Sequence, residues 1–227
     1  MLVFGADTYD EGFEPKPPVP FPTEYKNYQI LPGSFSPDNK YGLIYPKRSL
    51  LFEEARDGSL SLTGDLYLAA LNPFQILSEI PLGNSTLSAS SRGSYEVDWA
   101  KDSSAVLMIE SIKWGPDKVF LVPLHNGKAG KITDLTAEVR KQVQSDYDKS
   151  HAPRYNEYFD FIFDSDYPDR WRVNERGQVE IQCTCTTDPK ESETNAWTMK
   201  FEGLWDRAKG KFIRKKLQRI VRTPLDE

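Results

Sequence analysis

The stretch YEVDWAKDSSAVLMIESIKWGPDKVFLVPLHNGKAGKITDL, Tyr95 to Leu135, decides how the chain is read. Its opening alternates at Tyr95, Val97 and Trp99, and Lys101-Asp102-Ser103-Ser104 then turns it. A continuous apolar run from Ala105 to Ile109 follows, and another from Val119 to Val122 after the Gly115-Pro116 break. Period-two alternation predicts a half-covered strand, whereas short apolar runs between turn signals predict strands buried on both faces. His125-Asn126-Gly127-Lys128 turns the chain once more into a polar segment that ends at Leu135. The stretch therefore predicts a four-stranded meander with two buried middle strands.

Working outward, the same pattern recurs. FSPDNKYGLIY (Phe35 to Tyr45) aligns without a gap on WAKDSSAVLMI (Trp99 to Ile109), and DLYLAAL (Asp65 to Leu71) aligns on KVFLVPL (Lys118 to Leu124). Each second strand is followed by a turn, Asn72-Pro73 in one copy and Asn126-Gly127 in the other. The first copy carries extra residues from Lys47 to Thr63, with the apolar triplet Leu50-Leu51-Phe52. Loops this long carry function or cover a surface, and an apolar triplet suits covering. A weaker third copy runs through WRVNERGQVEIQCT, WTMKFEGLW and KFIRKKLQRIV, with a hairpin turn at Asp206 to Gly210. The blade-like units are then about 34–90, 94–135 and 171–222, in one β domain covering 34–227. Between the second and third, Val139, Val143 and Tyr147 repeat every four residues behind Thr136, which predicts one helix over 137–147 with Thr136 as its cap.

The run Phe35-Ser36-Pro37-Asp38-Asn39-Lys40, an apolar strand, and then Asp65-Leu66-Tyr67-Leu68 resembles the Pro-Asp propeller repeat of TolB-like proteins. The second copy resembles the same repeat with Lys101-Asp102 in place of Pro-Asp. The resemblance covers about half the chain and implies an all-β, β-propeller-like fold of four-stranded meanders. It also implies an envelope or extracellular setting, and binding rather than chemistry. Closed propellers take about 4–8 blades. Three units imply an open or incomplete arrangement, one filled in by the rest of the chain, or self-association with a second copy.

Composition bounds the remainder. The chain has 227 residues, 38% of them hydrophobic and 12% aromatic, enough for a sizeable β core. A formal net charge of −5 sets the chain as a whole against nucleic acid and anionic membranes. No apolar run approaches the roughly 20 residues of a membrane helix. The opening MLVFGA has no basic residue, and its apolar run falls short of the roughly 7–15 residues of a signal peptide. Residues 1–33 form a Pro-rich leader with Pro15, Pro17, Pro18, Pro20 and Pro22, read as a surface strap or linker rather than a core strand.

For chemistry, the two cysteines, Cys183 and Cys185, share one face of a strand and are expected as buried thiols rather than a disulfide or zinc site. No cofactor is implied. The segment FDFIFDSDYPDRW gathers Asp160, Asp164, Asp166 and Asp169 among aromatics including Trp171. Such carboxylates could hold calcium, initiate turns, or grip a sugar or peptide, and the segment lacks the loop glycine and terminal glutamate of an EF-hand. Trp114, in a Gly-Pro-flanked loop between buried strands, is a candidate binding aromatic. The binding candidates are therefore Trp114, Asp164, Asp166, Asp169 and Trp171. There is no G-x-S-x-G elbow, H-E-x-x-H pair or phosphate loop. The sequence thus reads as a non-catalytic binding or scaffold module for a protein partner. The alternatives are a hydrolase or glycan-active enzyme using carboxylates near Asp164, and nucleic-acid binding through the basic run Lys209 to Arg222, which the acidic total opposes.

Overall fold

The computed structural model describes residues 20–47, 66–81, 94–112, 115–164, 170–190 and 195–221. The leader before Pro20, the Leu50-Leu51-Phe52 loop, Trp114, Asp166 and Asp169 lie outside them. The described residues form three antiparallel sheets and one α-helix, an all-β fold in which no sheet closes on itself. Among them no helix is long and apolar enough to cross a membrane. The chain divides into two compact units, Met1–Met108 with Val122–Ile132, and Ile109–Leu121 with Thr133–Glu227.

In the first unit, β1 (Tyr28–Ile30), β2 (Tyr41–Pro46), β3 (Leu66–Leu71) and β4 (Phe74–Ile80) pair in chain order. The strap reading of the leader stops before β1, because Tyr28–Ile30 pairs with Pro46–Ile44 and Ile30 is fully buried. The leader's run of prolines, Pro15 to Pro22, ends before Thr23, so Tyr28, Gln29 and Ile30 each keep a backbone donor for the ladder. Ile30, Ile44, Ala69 and Leu71 make a cluster on which Phe21, Tyr25, Tyr28, Tyr67 and Phe74 pack. Their rings meet in tilted and edge-on pairs, Phe21–Phe74 at 5.0 Å and Tyr25–Phe74 at 5.2 Å, as aromatic quadrupoles prefer.

The second sheet orders β5 (Ser94–Trp99), β6 (Ala105–Ile112), β7 (Gly115–His125) and β8 (Lys128–Ala129). Ala105 through Glu110 and Val119 through Val122 are all buried, so these strands are covered on both faces. The polar fourth strand is interrupted. After β8 the Gly130 N–H donates to the Pro123 carbonyl at 2.8 Å, and the chain rejoins β7 as β9 (Thr133–Asp134), opposite Leu121 and Phe120.

The turns before β2 and β6 are built alike. Asn39 and Ser103 take left-handed φ of 58° and 56°. Each donates its N–H three residues back, to Ser36 at 2.9 Å and to Ala100 at 2.8 Å. Trp99 Nε1 donates to the Ser34 carbonyl at 3.0 Å, and the Asp38 N–H donates to Ser103 Oγ at 3.3 Å, which ties one turn to the other. The Asp38 carboxylate accepts from Ser36 Oγ at 2.7 Å and from the Lys40 N–H at 3.2 Å.

In the second unit, helix α1 spans Leu135–Ser150, beyond the 137–147 read from spacing. Its cap is Asp134, not Thr136: the Asp134 carboxylate accepts from the Ala137 N–H at 2.9 Å, and the Thr136 hydroxyl donates to the same oxygen. An aspartate one residue outside the first turn satisfies an orphan donor and sits at the positive end of the helix dipole. The third sheet holds β10 (Ile162–Asp164), β11 (Arg170–Val173), β12 (Val179–Thr186), β13 (Thr198–Asp206) and β14 (Lys211–Ile220). β10 and β11 share one edge of β12: Asp164 pairs with Thr184 and Arg170 with Gln182, partners separated by Cys183 alone. They form one interrupted strand, so this sheet too is a four-stranded meander in outline. Cys183 and Cys185 are buried free thiols on one face of β12, as their spacing requires.

Asp38 generates a pH test. Burial alone would push its carboxyl up, but the Ser36 hydroxyl, the Lys40 backbone and ammonium, and the Ser103 hydroxyl hold it down to about 2 from 3.8. A depressed carboxylate contributes stability that is fully present above pH 4 and lost as pH falls toward 2. Its side chain is a third exposed, so screening leaves about 1 kcal/mol. Asp38→Asn should lower urea stability by that amount at pH 7 and by almost nothing at pH 2.

Candidate functional site

The second unit carries the chemistry that the sequence drew attention to, and more. Its core is aromatic. Trp197 is fully buried, with Phe161 at 4.9 Å, Tyr147 of α1 at 5.4 Å edge-on, and the Arg219 guanidinium 5.4 Å above its ring. Its one polar atom, Nε1, donates to Asp146 Oδ1 at 2.8 Å, and Arg219 lies 3.6 Å from the same oxygen. One carboxylate on the helix thus holds an indole from β13's approach and a cation from β14.

Asp164 and Trp171 lie inside this unit. Asp164 is 7% exposed at the end of β10, and Trp171 is 6% exposed with its ring 5.8 Å edge-on from Phe163. Phe161, Ile162 and Phe163, next to the aspartates, form buried core rather than loop. Among the described residues no group of three or more His, Cys, Asp or Glu side chains is placed to hold a metal ion.

Two features are open to solvent. The first is β14, which pairs only with β13 among the described residues and leaves Lys211, Arg214, Lys215 and Lys216 exposed. Ile213 and Leu217 are 42% and 41% exposed beside them. The register shifts between Leu204 and Trp205, whose partners are Arg214 and Phe212, so Ile213 is the extra residue of a bulge. Lys215 Nζ donates to Gln142 Oε1 at 2.6 Å on the helix side, while Lys216 lies 3.6 Å from Glu202 on the other face.

The second is a cleft of about 300 Å³ lined by Asp117, Lys118, Arg140, Arg154, Tyr158, Phe159 and Asp160. Arg140 leaves α1 one residue after the buried Val139 and is held from below. Its guanidinium lies 4.7 Å over Phe161 and 5.0 Å over Phe163, and Nη1 donates to the Phe161 carbonyl at 3.1 Å. Burial pulls its pKa below the ordinary arginine value, against the neighbouring aspartates. Burial likewise pushes the Asp117 carboxyl up, opposed by Lys118 and Arg140. The other charges of the lining are paired: Arg154 with Asp160 at 2.6 Å, and Lys118 with Asp134 at 3.3 Å.

Sequence reading passed over this cleft because Arg140 sits in the charged register of an amphipathic helix, where a solvated face is the ordinary expectation. The available signal was its position beside Val139, on the border of the buried stripe. No protein-family model, curated protein or solved structure significantly matches this chain.

How β14 is held yields a prediction. A Cβ on Gly203, in β13 opposite Lys215, would lie 2.5 Å from the Phe201 ring and 2.9 Å from the Phe212 ring. These rings meet at 5.2 Å over the glycine, and Phe212 anchors the first residues of β14. Gly203→Ala should destabilise the protein by about 1–3 kcal/mol through overpacking. Hydrogen exchange should show the loss first as faster exchange in β14.

Proposed function

We propose that the protein is a non-catalytic, propeller-like binding module that recognises a protein partner by pairing an extended segment with the edge of β14. The observation that carries this is the edge itself: ten residues long, exposed, with Ile213 and Leu217 interleaved among cations. An edge strand offers a row of unused backbone donors and acceptors, and strand addition uses it. Cations opposite cations oppose pairing with β14 of a second copy, while an acidic segment carrying apolar residues at alternate positions complements the edge in charge and in apolar contacts. In favour of the propeller-like reading, the positions of the first two units aligned by sequence share their left-handed residue. They also share the bond that closes the next hairpin: Leu71 N–H to the Lys40 carbonyl at 2.9 Å, and Leu124 N–H to the Ser104 carbonyl at 2.8 Å. Gly177, aligned in the third unit, has φ of 69°.

The alternatives have less support. A phosphate backbone needs a continuous basic row, but the cations of β14 divide between two faces. On the outward face Arg214 and Lys216 lie among Glu180 and Glu202. For an enzyme at Asp164, the carboxylate is buried within a strand.

A labelled ten-residue peptide alternating Glu and Val, titrated by fluorescence anisotropy, tests the proposal. It should bind, and Arg214→Glu with Lys216→Glu should weaken it by about tenfold or more. Equal binding by the variant, or no binding by the wild type, would overturn the proposal. Steep salt-dependent binding of a single-stranded oligonucleotide in its place would put nucleic acid first.

A further inference from the structure

Arg140 and Asp117 line one cleft with opposite charges, and neither has an ion-pair partner among the described residues. Of the five N–H donors of Arg140, one is used among the described residues, on the Phe161 carbonyl. Asp117 is partly buried in the same wall and makes no hydrogen bond to another described residue. Two opposite charges that influence each other without touching leave a gap that an ordinary structural ion pair would have closed. The cavity of about 300 Å³ between the lining residues is the size of a small molecule, and its rim carries the aromatic side chains of Tyr158 and Phe159.

The charge balance selects the ligand. Lys118, Arg140 and Arg154 contribute three positive charges to the lining, and Asp117 and Asp160 two negative ones, with Asp134 on Lys118. The cleft is therefore close to neutral. A simple anion would gain Arg140 but meet Asp117 and Asp160, and a simple cation would meet the reverse. A ligand with both charges satisfies both groups, and a planar guanidinium prefers a carboxylate, which it grips with two parallel hydrogen bonds. We propose that this cleft binds a free amino acid or similarly small amino-carboxylate zwitterion, its carboxylate on Arg140, its ammonium on Asp117 and its side chain against Tyr158 and Phe159. The stacking of Arg140 on two buried rings fixes the guanidinium before the ligand arrives, so little side-chain entropy is lost on binding. The site is distinct from the β14 edge and stands or falls separately.

The test is calorimetric titration of the full chain with free L-amino acids added singly at millimolar concentration. The N-acetyl and carboxamide derivatives of any binder, and inorganic phosphate, are titrated in parallel. At least one free amino acid should bind, and blocking either end should weaken it by about tenfold or more. Asp117→Asn should weaken the free amino acid by a similar factor yet leave its N-acetyl derivative unchanged, because that derivative has already lost the charge Asp117 would meet. Arg140→Gln should abolish binding. If that variant melts early because the stacked rings lose their cover, the Asp117→Asn comparison decides alone. The proposal is overturned if no free amino acid binds, if phosphate binds as well as the best of them, or if Asp117→Asn weakens the free and acetylated forms alike.

Discussion

The second unit depends on the hydrogen bond from the Trp197 indole to Asp146. A tryptophan buried to its last atom brings more apolar area than any other side chain, but it also brings an N–H that has lost its water. The chain meets that need from helix α1, so burying the ring and docking the helix are one event. Arg219 of β14 shares the carboxylate from above the ring, which draws helix, sheet interior and edge strand to one point. Tyr147 and Phe161 complete the enclosure, and Phe161 then carries Arg140 on its other contacts. The geometry of the cleft is thus inherited from the packing of the core.

The first unit solves the equivalent problem differently. Trp99 is only partly covered, and its indole donates to a backbone carbonyl, that of Ser34, at the turn leading into β2. Tyr41 stacks on it at 6.3 Å, and the Asp38 turn meets the Ser103 turn alongside. Small polar bonds between turns, rather than a charged pair in the interior, register one sheet on the other.

Legibility followed the strength of the local signal. β6 and β7 were readable because continuous apolar runs between turns admit few other structures, and α1 because Val139, Val143 and Tyr147 keep a four-residue period. Its boundaries were not readable from spacing, since Asp134 and Thr136 are both good caps and only the geometry chooses. β1 was hidden by the prolines before it. β10 was hidden by the aspartates around it: Phe161, Ile162 and Phe163 are too few to outweigh a run of turn formers. The cleft was the least legible, because Asp117, Arg140 and Asp160 are far apart in the chain and each looks like surface. Of the residues singled out as binding candidates, the two that can be placed, Asp164 and Trp171, are both buried.

The buried thiols of β12 give the protein a built-in reporter. Cys183 and Cys185 lie in the middle strand of the third sheet, shut off from solvent. A thiol reagent can reach them only when that sheet opens, so the rate of chemical modification measures the opening equilibrium where opening and reclosing are fast. On the β13 side Cys183 pairs with Phe201 and Cys185 with Met199, and Cys185 also pairs with Phe163 of β10. Because the two sulfurs lie two residues apart on one face of one strand, a single opening of β12 exposes both, and their modification counts how often that strand leaves the core.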